Sequence, residues 1–98
     1  MFELTGFQRD LLYVIHGSDR PSGQDIKEKI SEDVGEVNHG RLYPNLDALV
    51  EEGLVNKGQH DRRTNYYEIS EKGEDLLEQR RSWENQHVGE HIAQEVST

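Results

Sequence analysis

Four polar residues of the kind that begin helices divide this chain, and their spacing constrains its fold more than any other feature. Apolar residues at helical spacing follow each of these residues, which are Thr5, Ser22, Asn38 and Ser70. The first two also have Gln8 or Asp25 three residues later, which makes a capping-box pattern. The spacing therefore predicts four helices, the last of them running from 71 to about 96.

The segment between the third and fourth predicted helices has a different pattern. Residues 54–59 and 66–69 are typical of short strands, and 60–65 form a polar tip, so a hairpin is expected. This order is that of a winged helix-turn-helix, in which the third helix lies in the DNA major groove and the hairpin is the wing. We predict a mainly α (α+β) fold: a winged helix-turn-helix of three helices plus a two-stranded wing, followed by a long C-terminal helix.

A chain of 98 residues is expected to form one domain. Within it, residues 1–69 would form the winged-helix DNA-binding part and residues 70–98 a C-terminal dimerisation helix. Cysteine is absent, and the longest apolar run, 11–15, is far shorter than the about 20 residues that span a bilayer. We therefore expect a cytoplasmic protein with no membrane partner and no cysteine-based chemistry.

The charge is strongly negative but unevenly spread. The chain has 20 acidic and 11 basic residues, for a net charge of −9, and only four of the basic residues are lysine. The net charge is −4 over residues 1–36, 0 over 37–67 and −5 over 68–98. The third helix and the wing are thus the least acidic third of the chain. An acidic, lysine-poor surface is what a protein needs to stay hydrated in concentrated salt, so a halophilic protein is expected.

The third helix carries a recognisable motif. The stretch 38–55 resembles the PadR-like family of winged-helix transcription regulators through Gly40, Leu42, Tyr43, Pro44, Leu46, Leu49, Gly53, Leu54 and Val55. The resemblance extends over about residues 7–77, and its acidic setting is similar to the versions found in extreme halophiles. It implies a winged-helix fold, a role in transcription regulation and DNA contact by the third helix.

Helical periodicity indicates which residues would contact DNA. With the leucines of the third helix facing the core, the opposite face carries Gly40, Arg41, Pro44 and Ala48. Arg41 is the one long donor on that face, and arginine is the commonest specific reader of guanine. The full predicted DNA-binding set adds the residues that flank Arg41 and those of the wing: Asn38, His39, Tyr43, Asn45, Lys57, Arg62, Arg63 and Thr64. The alternatives are that Tyr43 belongs mostly to the core and that Asn45 and the two wing arginines are only solvated.

The last helix carries a broken apolar stripe that is too weak to pack entirely within so small a body. We interpret it as a dimer contact formed by Leu76, Leu77, Trp83, Val88 and Ile92. The alternative is that Trp83 is partly exposed and packs on the first helix. His87 and His91 have a spacing that suits a metal, but no third ligand follows at a specific spacing, so no metal site is expected.

No nucleophile–base pair and no phosphate-binding glycine loop is visible, so neither an enzyme nor a cofactor is expected. The favoured function is a homodimeric, sequence-specific DNA-binding regulator that represses transcription by occupying an inverted-repeat operator. The alternative is a winged-helix module that binds another protein instead of DNA. A small-molecule effector bound between the dimer helices stays open as a third idea.

Overall fold

The structure is a computed structural model, and it describes residues 4–89. Three helices come first, α1 (Gly6–His16), α2 (Gly23–Val34) and α3 (His39–Glu51). The antiparallel strands β1 (Val55–Gln59) and β2 (Asn65–Ile69) follow, and α4 (Glu71–Glu84) continues into a π-helical turn (Asn85–Gly89). The predicted order of helices and hairpin is confirmed, and so is the winged-helix fold.

Each predicted capping residue begins a helix through its side chain. Thr5 and Ser22 both form complete capping boxes, with Gln8 and Asp25 reaching back to the cap backbone. Asn38 accepts a hydrogen bond from the amide of residue 41, and Ser70 accepts one from the amide of residue 73. These contacts satisfy amides that have no partner within the helix, which is why the helix starts follow so closely from the sequence.

The end of α3 places the wing directly beside that helix. The amide of Gly53 donates to the carbonyl of Val50, and the amide of Leu54 donates to the carbonyl of Leu49, both at 3.0 Å. This is a Schellman motif, and Gly53 adopts the left-handed conformation (φ +75°) that the motif requires. The C-cap is therefore Glu52, and Gly53 occupies the next position.

The wing is fastened to the start of α2 as well as to itself. The amide of Tyr67 donates to the carbonyl of Pro21, and Ser22 forms an isolated bridge with Tyr66. Arg20 stacks over the Tyr66 ring at 5.1 Å, and its Nε lies 3.1 Å from the carboxylate of Glu68. The hairpin is consequently held next to the helix-turn-helix and does not project as a free loop.

The core is made of leucine and isoleucine side chains of α1, α2 and α3, of Val37, Leu54 and Val55 in the segments on either side of α3, and of Tyr67 of the wing and Leu77 of α4. Leu77, expected in a dimer interface, is only 4% exposed within the single chain. Its apolar surface is already covered by the chain's own core, which corrects that expectation.

The last helix does not continue as a regular α-helix through the described residues. It ends at Glu84, and residues 85–89 form a π-helical turn. The ring nitrogen Nδ1 of His87 lies 2.8 Å from the carbonyl of Trp83, which is the acceptor that the amide of residue 87 would use in an α-helix. A side chain that competes for a ladder carbonyl accounts for the local widening.

Candidate nucleic-acid interface

The outward end of α3 carries small or flat side chains. His39, Gly40 and Pro44 are all exposed, and the His39 ring stacks on the Tyr43 ring at 5.5 Å with an interplanar angle of 6°. Asn38 is also exposed, but its side-chain oxygen is used in capping the helix. The exposed start of α3 therefore has few protruding side chains, so its backbone can approach a nucleic-acid groove closely.

Tyr43 leaves that outward surface and leans toward α2. A Cβ atom on Gly23 would overlap the Tyr43 ring, so the close approach of the two helices depends on this glycine. Tyr43 is half-buried, and it lines a cleft of about 310 Å³ together with Ser22, Gly23, Gln24, Arg63, Thr64, Asn65 and Tyr67. We call this the wing cleft. It joins the start of α2, the side of α3 and the wing.

The tip of the wing is shaped by Asp61. Its carboxylate accepts hydrogen bonds from the amides of Arg63 and Thr64 at 2.8 and 2.9 Å. These two bonds hold the pKa of Asp61 below its ordinary value, because they stabilise the ionised form. Arg62 and Arg63 are exposed on this turn.

The opposite side of α3 leans on α1. The guanidinium carbon of Arg41 lies 4.0 Å from the centroid of the Phe7 ring. The side-chain Nε2 of Gln8 donates a hydrogen bond to Oδ1 of Asn45 at 3.0 Å. Ala48 is half-buried and lines a groove beside α1 instead of standing on the outward face. Of the four residues expected on one outward face, only Gly40 and Pro44 therefore point away from both neighbouring helices.

Asp47 was not among the predicted DNA-binding residues, and the structure leaves it exposed. Burial, and then the charges of Asp47 and Tyr43, raise the pKa of Tyr67. Lys57 lies over the same Tyr67 ring, with its Nζ 5.9 Å from the centroid. The helical spacing of residues 40, 44 and 47 could have predicted this exposure, because it puts Asp47 on the outward side of α3.

The candidate dimer residues of α4 lie in different environments. Trp83 is 39% exposed and Val88 is 56% exposed, whereas Leu76 is half-buried against the core. The Trp83 ring contacts the His87 ring at 4.5 Å and the Arg80 guanidinium at 4.6 Å. Ile92 and His91 lie outside the described residues.

Within residues 4–89, no group of three acidic, histidine or cysteine side chains is arranged to hold a metal ion. No helix in this part of the chain is long and apolar enough to cross a membrane.

A helix-turn-helix, an exposed third helix and a wing with two arginines at its tip together define a winged-helix protein of the kind that contacts DNA. The comparison with known families agrees with this class. The chain belongs to the PadR-like family of transcriptional regulators, which matches residues 11–79. It is thus a DNA-binding transcription regulator, and family membership confirms that it is not an enzyme.

Solved structures of similar proteins cover almost the whole chain. RosR of H. salinarum is 37% identical, with a TM-score of 0.80 over 98% of this chain and 96% of that one. A PadR-like transcription factor of Bacteroides fragilis is 27% identical, with a TM-score of 0.72 over 88% of each chain. FabT of Streptococcus pneumoniae, solved in complex with DNA, is 15% identical with a TM-score of 0.74, covers 93% of this chain and 62% of that one, and shows the fold alone. No curated protein matches the chain significantly.

Proposed function

We propose that this chain is a homodimeric, sequence-specific repressor that acts by occupying an inverted-repeat operator. The observation that carries the proposal is the composition of the wing cleft. Its lining includes the cation Arg63 and no carboxylate, although the chain as a whole has a net charge of −9. A cleft beside α3 with a cation and no carboxylate in its lining is suited to receive a polyanion, although Asp47 lies close enough to act on Tyr67.

The wing cleft suits a phosphate group of the DNA backbone in particular. The start of α2 supplies amides and the positive end of the helix dipole, and Tyr43 and Thr64 supply hydroxyl groups. Arg63 adds a charge that also favours phosphate. These contacts would fix the position of the protein on DNA without reading its sequence.

Base reading is assigned to Arg41. Its side chain is exposed, and within residues 4–89 no hydrogen bond or ion pair engages its guanidinium. The guanidinium carbon lies over the Phe7 ring, a contact that uses none of its N–H groups in a hydrogen bond, so these groups are available to the O6 and N7 atoms of guanine. Asn38, His39, Gly40, Pro44 and Lys57 complete the proposed DNA surface, with Arg62 on the backbone or in the minor groove.

The alternative of a protein-binding module without DNA contact is weaker. It would be favoured if acids of α2 covered the cationic side chains. Asp25 is the acid nearest the start of α2, and its carboxylate is engaged by the backbone and hydroxyl of Ser22, which lowers its pKa. It therefore serves the helix cap.

The operator can be tested by selecting bound sequences from random duplexes with the full chain. A twofold dimer presents its third helices to successive major grooves about 34 Å apart, so the selected sites should be inverted repeats with matching half-site spacing. Enrichment of single, unpaired half-sites would contradict the dimeric part of the proposal. No enrichment over input would favour the protein-binding alternative.

We place the dimer contact on the exposed side of α4 and the π-helical turn, with Trp83 and Val88 as its apolar centre and the half-buried Leu76 at its edge. Ile92, predicted to belong to the same contact, lies outside the described residues. Trp83→Ala should move the protein toward monomer, because loss of a central interface aromatic typically costs about 2 kcal/mol or more. Light scattering over a dilution series measures this, with the exposed Tyr13→Ala as the matched control. A dimer mass that resists dilution in Trp83→Ala would place the interface elsewhere.

The acidity is proposed to be an adaptation to concentrated salt inside the cytoplasm, and similarity to a protein of H. salinarum supports it. Salt screens repulsion among like charges. The melting temperature should therefore rise from dilute to molar KCl. A flat or falling curve would show that the acidity has another origin.

A further inference from the structure

The first turn of α1 contacts the start of α3 in two ways, although neither family membership nor the wing requires it. Phe7 is half-buried and packs against the core, so its ring is fixed in place. The Arg41 guanidinium lies 4.0 Å from the centre of that ring, well within the about 6 Å at which a cation and an aromatic face attract one another. An exposed arginine thereby favours one position before any DNA arrives.

The second contact is a continuous chain of hydrogen bonds. The amide of Thr5 donates to Oε1 of Gln8 at 3.2 Å, and Nε2 of Gln8 donates to Oδ1 of Asn45 at 3.0 Å. Nδ2 of Asn45 then donates to the backbone carbonyl of Arg41 at 2.7 Å. Each amide uses its oxygen on one side and its nitrogen on the other, so every bond in the chain fixes the direction of the next.

We propose that Phe7 and Gln8 are positioning residues for sequence reading: they fix the side chain and the backbone of Arg41 so that its N–H edge meets a base without further ordering. This inference rests on the proposed function, in which Arg41 reads a base. Ordering a long side chain on binding reduces affinity, and a preformed rotamer avoids that loss. The effect is specific to reading, because phosphate contacts at the wing do not involve α1.

The same geometry changes the role of Asn45. A bidentate contact with adenine needs both the oxygen and the nitrogen of a side-chain amide. Each of these atoms already makes one hydrogen bond, Oδ1 with Gln8 and Nδ2 with the carbonyl of residue 41, and the two bonds fix the plane of the amide. Only the second lone pair and the second N–H stay open, in that fixed orientation. Asn45, first considered as a DNA contact, is therefore assigned to the positioning chain.

The test measures discrimination, defined as the ratio of Kd values for a scrambled duplex and for a duplex selected by the wild-type chain. Phe7→Leu keeps an apolar side chain in the core but removes the ring. It should lower discrimination about two- to fivefold, the range of an exposed cation–aromatic contact. Phe7→Tyr keeps a ring and should restore discrimination. Val14→Ala, at a half-buried apolar position of the same helix that also packs on the core, is the matched control for lost stability and should leave discrimination unchanged.

Gln8→Glu tests the hydrogen-bond chain. Glutamate still serves the capping box of α1, but it offers no donor to Asn45. Loss of this bond should lower discrimination about two- to tenfold. Gln79→Glu introduces the same charge at an exposed position of α4 and should have no effect.

The failure of this inference can be told apart from failure of the proposed function. If Arg41→Ala itself leaves discrimination unchanged, the reading role is wrong. If Arg41→Ala lowers discrimination but Phe7→Leu and Gln8→Glu do not, the positioning role is wrong. In the Arg41→Ala background Phe7→Leu should have no further effect, and an equal loss in both backgrounds would mean that Phe7 acts through stability alone.

Discussion

The two sides of α3 differ in how firmly they are held. On the α1 side, Arg41 lies on a fixed ring and Asn45 closes a chain of three hydrogen bonds. On the wing side, Tyr43 borders an open cleft, and the side chains of Arg62 and Arg63 extend from a turn into solvent. The difference corresponds to the two tasks of a DNA-binding surface. Reading a base needs a fixed donor, whereas neutralising phosphates tolerates adaptable cations.

The largest effect on the wing side is expected from Gly23→Ala. The added Cβ would overlap the Tyr43 ring, and overpacking of this kind costs about 1–3 kcal/mol. The ring must move into the wing cleft, so affinity for all DNA sequences should fall along with stability. Denaturant titration and binding to a scrambled duplex measure the two effects.

Gly6→Ala is the matched control, because nothing lies within 4 Å of a Cβ at that position. Its stability should stay within about 0.5 kcal/mol of the wild-type value. Adding Tyr43→Ala to Gly23→Ala removes the overlap and should recover part of the lost stability. A Gly23→Ala variant as stable as Gly6→Ala would show that the Tyr43 ring can move away from α2 without a loss of stability.

A smaller effect is expected from Tyr67→Phe at high pH. Burial and the nearby charge of Asp47 raise the pKa of Tyr67 above its ordinary value of 10.0, so the folded state favours the neutral phenol. The stability this provides is fully present below pH 10 and is lost as the pH rises through the raised pKa. The free energy of unfolding of the wild type should therefore fall more steeply above pH 10 than that of Tyr67→Phe. Equal slopes for the wild type and Tyr67→Phe would contradict the assignment.

The sequence was sufficient to predict those parts of the fold that depend on residues close together in the chain. Helix caps such as Thr5 and Ser22 act within three residues, and their predicted roles are confirmed. The Leu-Tyr-Pro motif identified the family for the same reason, because it is a short pattern within one helix. The order of helices and hairpin then followed, whereas the location of the DNA surface stays a proposal.

Contacts between distant parts of the chain could not be predicted from periodicity. Gln8 and Asn45 are 37 positions apart, and nothing in the spacing of either helix indicates their bond. The same limit explains Ala48, which helical spacing put on the outward face and α1 half covers. It also explains Leu77: an apolar stripe shows that a helix face is buried, but not whether the partner is the same chain.

The most direct test of the account compares Arg41→Ala with the double variant Arg62→Ala and Arg63→Ala. Binding is titrated on a selected and a scrambled duplex at several KCl concentrations. Arg41→Ala should lose about 1–3 kcal/mol on the selected duplex and little on the scrambled one. The double variant should weaken both duplexes alike and flatten the salt dependence by about one unit of slope for each lost phosphate contact. Equal weakening of both duplexes by Arg41→Ala would contradict the account, because Arg41 would then be a phosphate contact like the arginines of the wing.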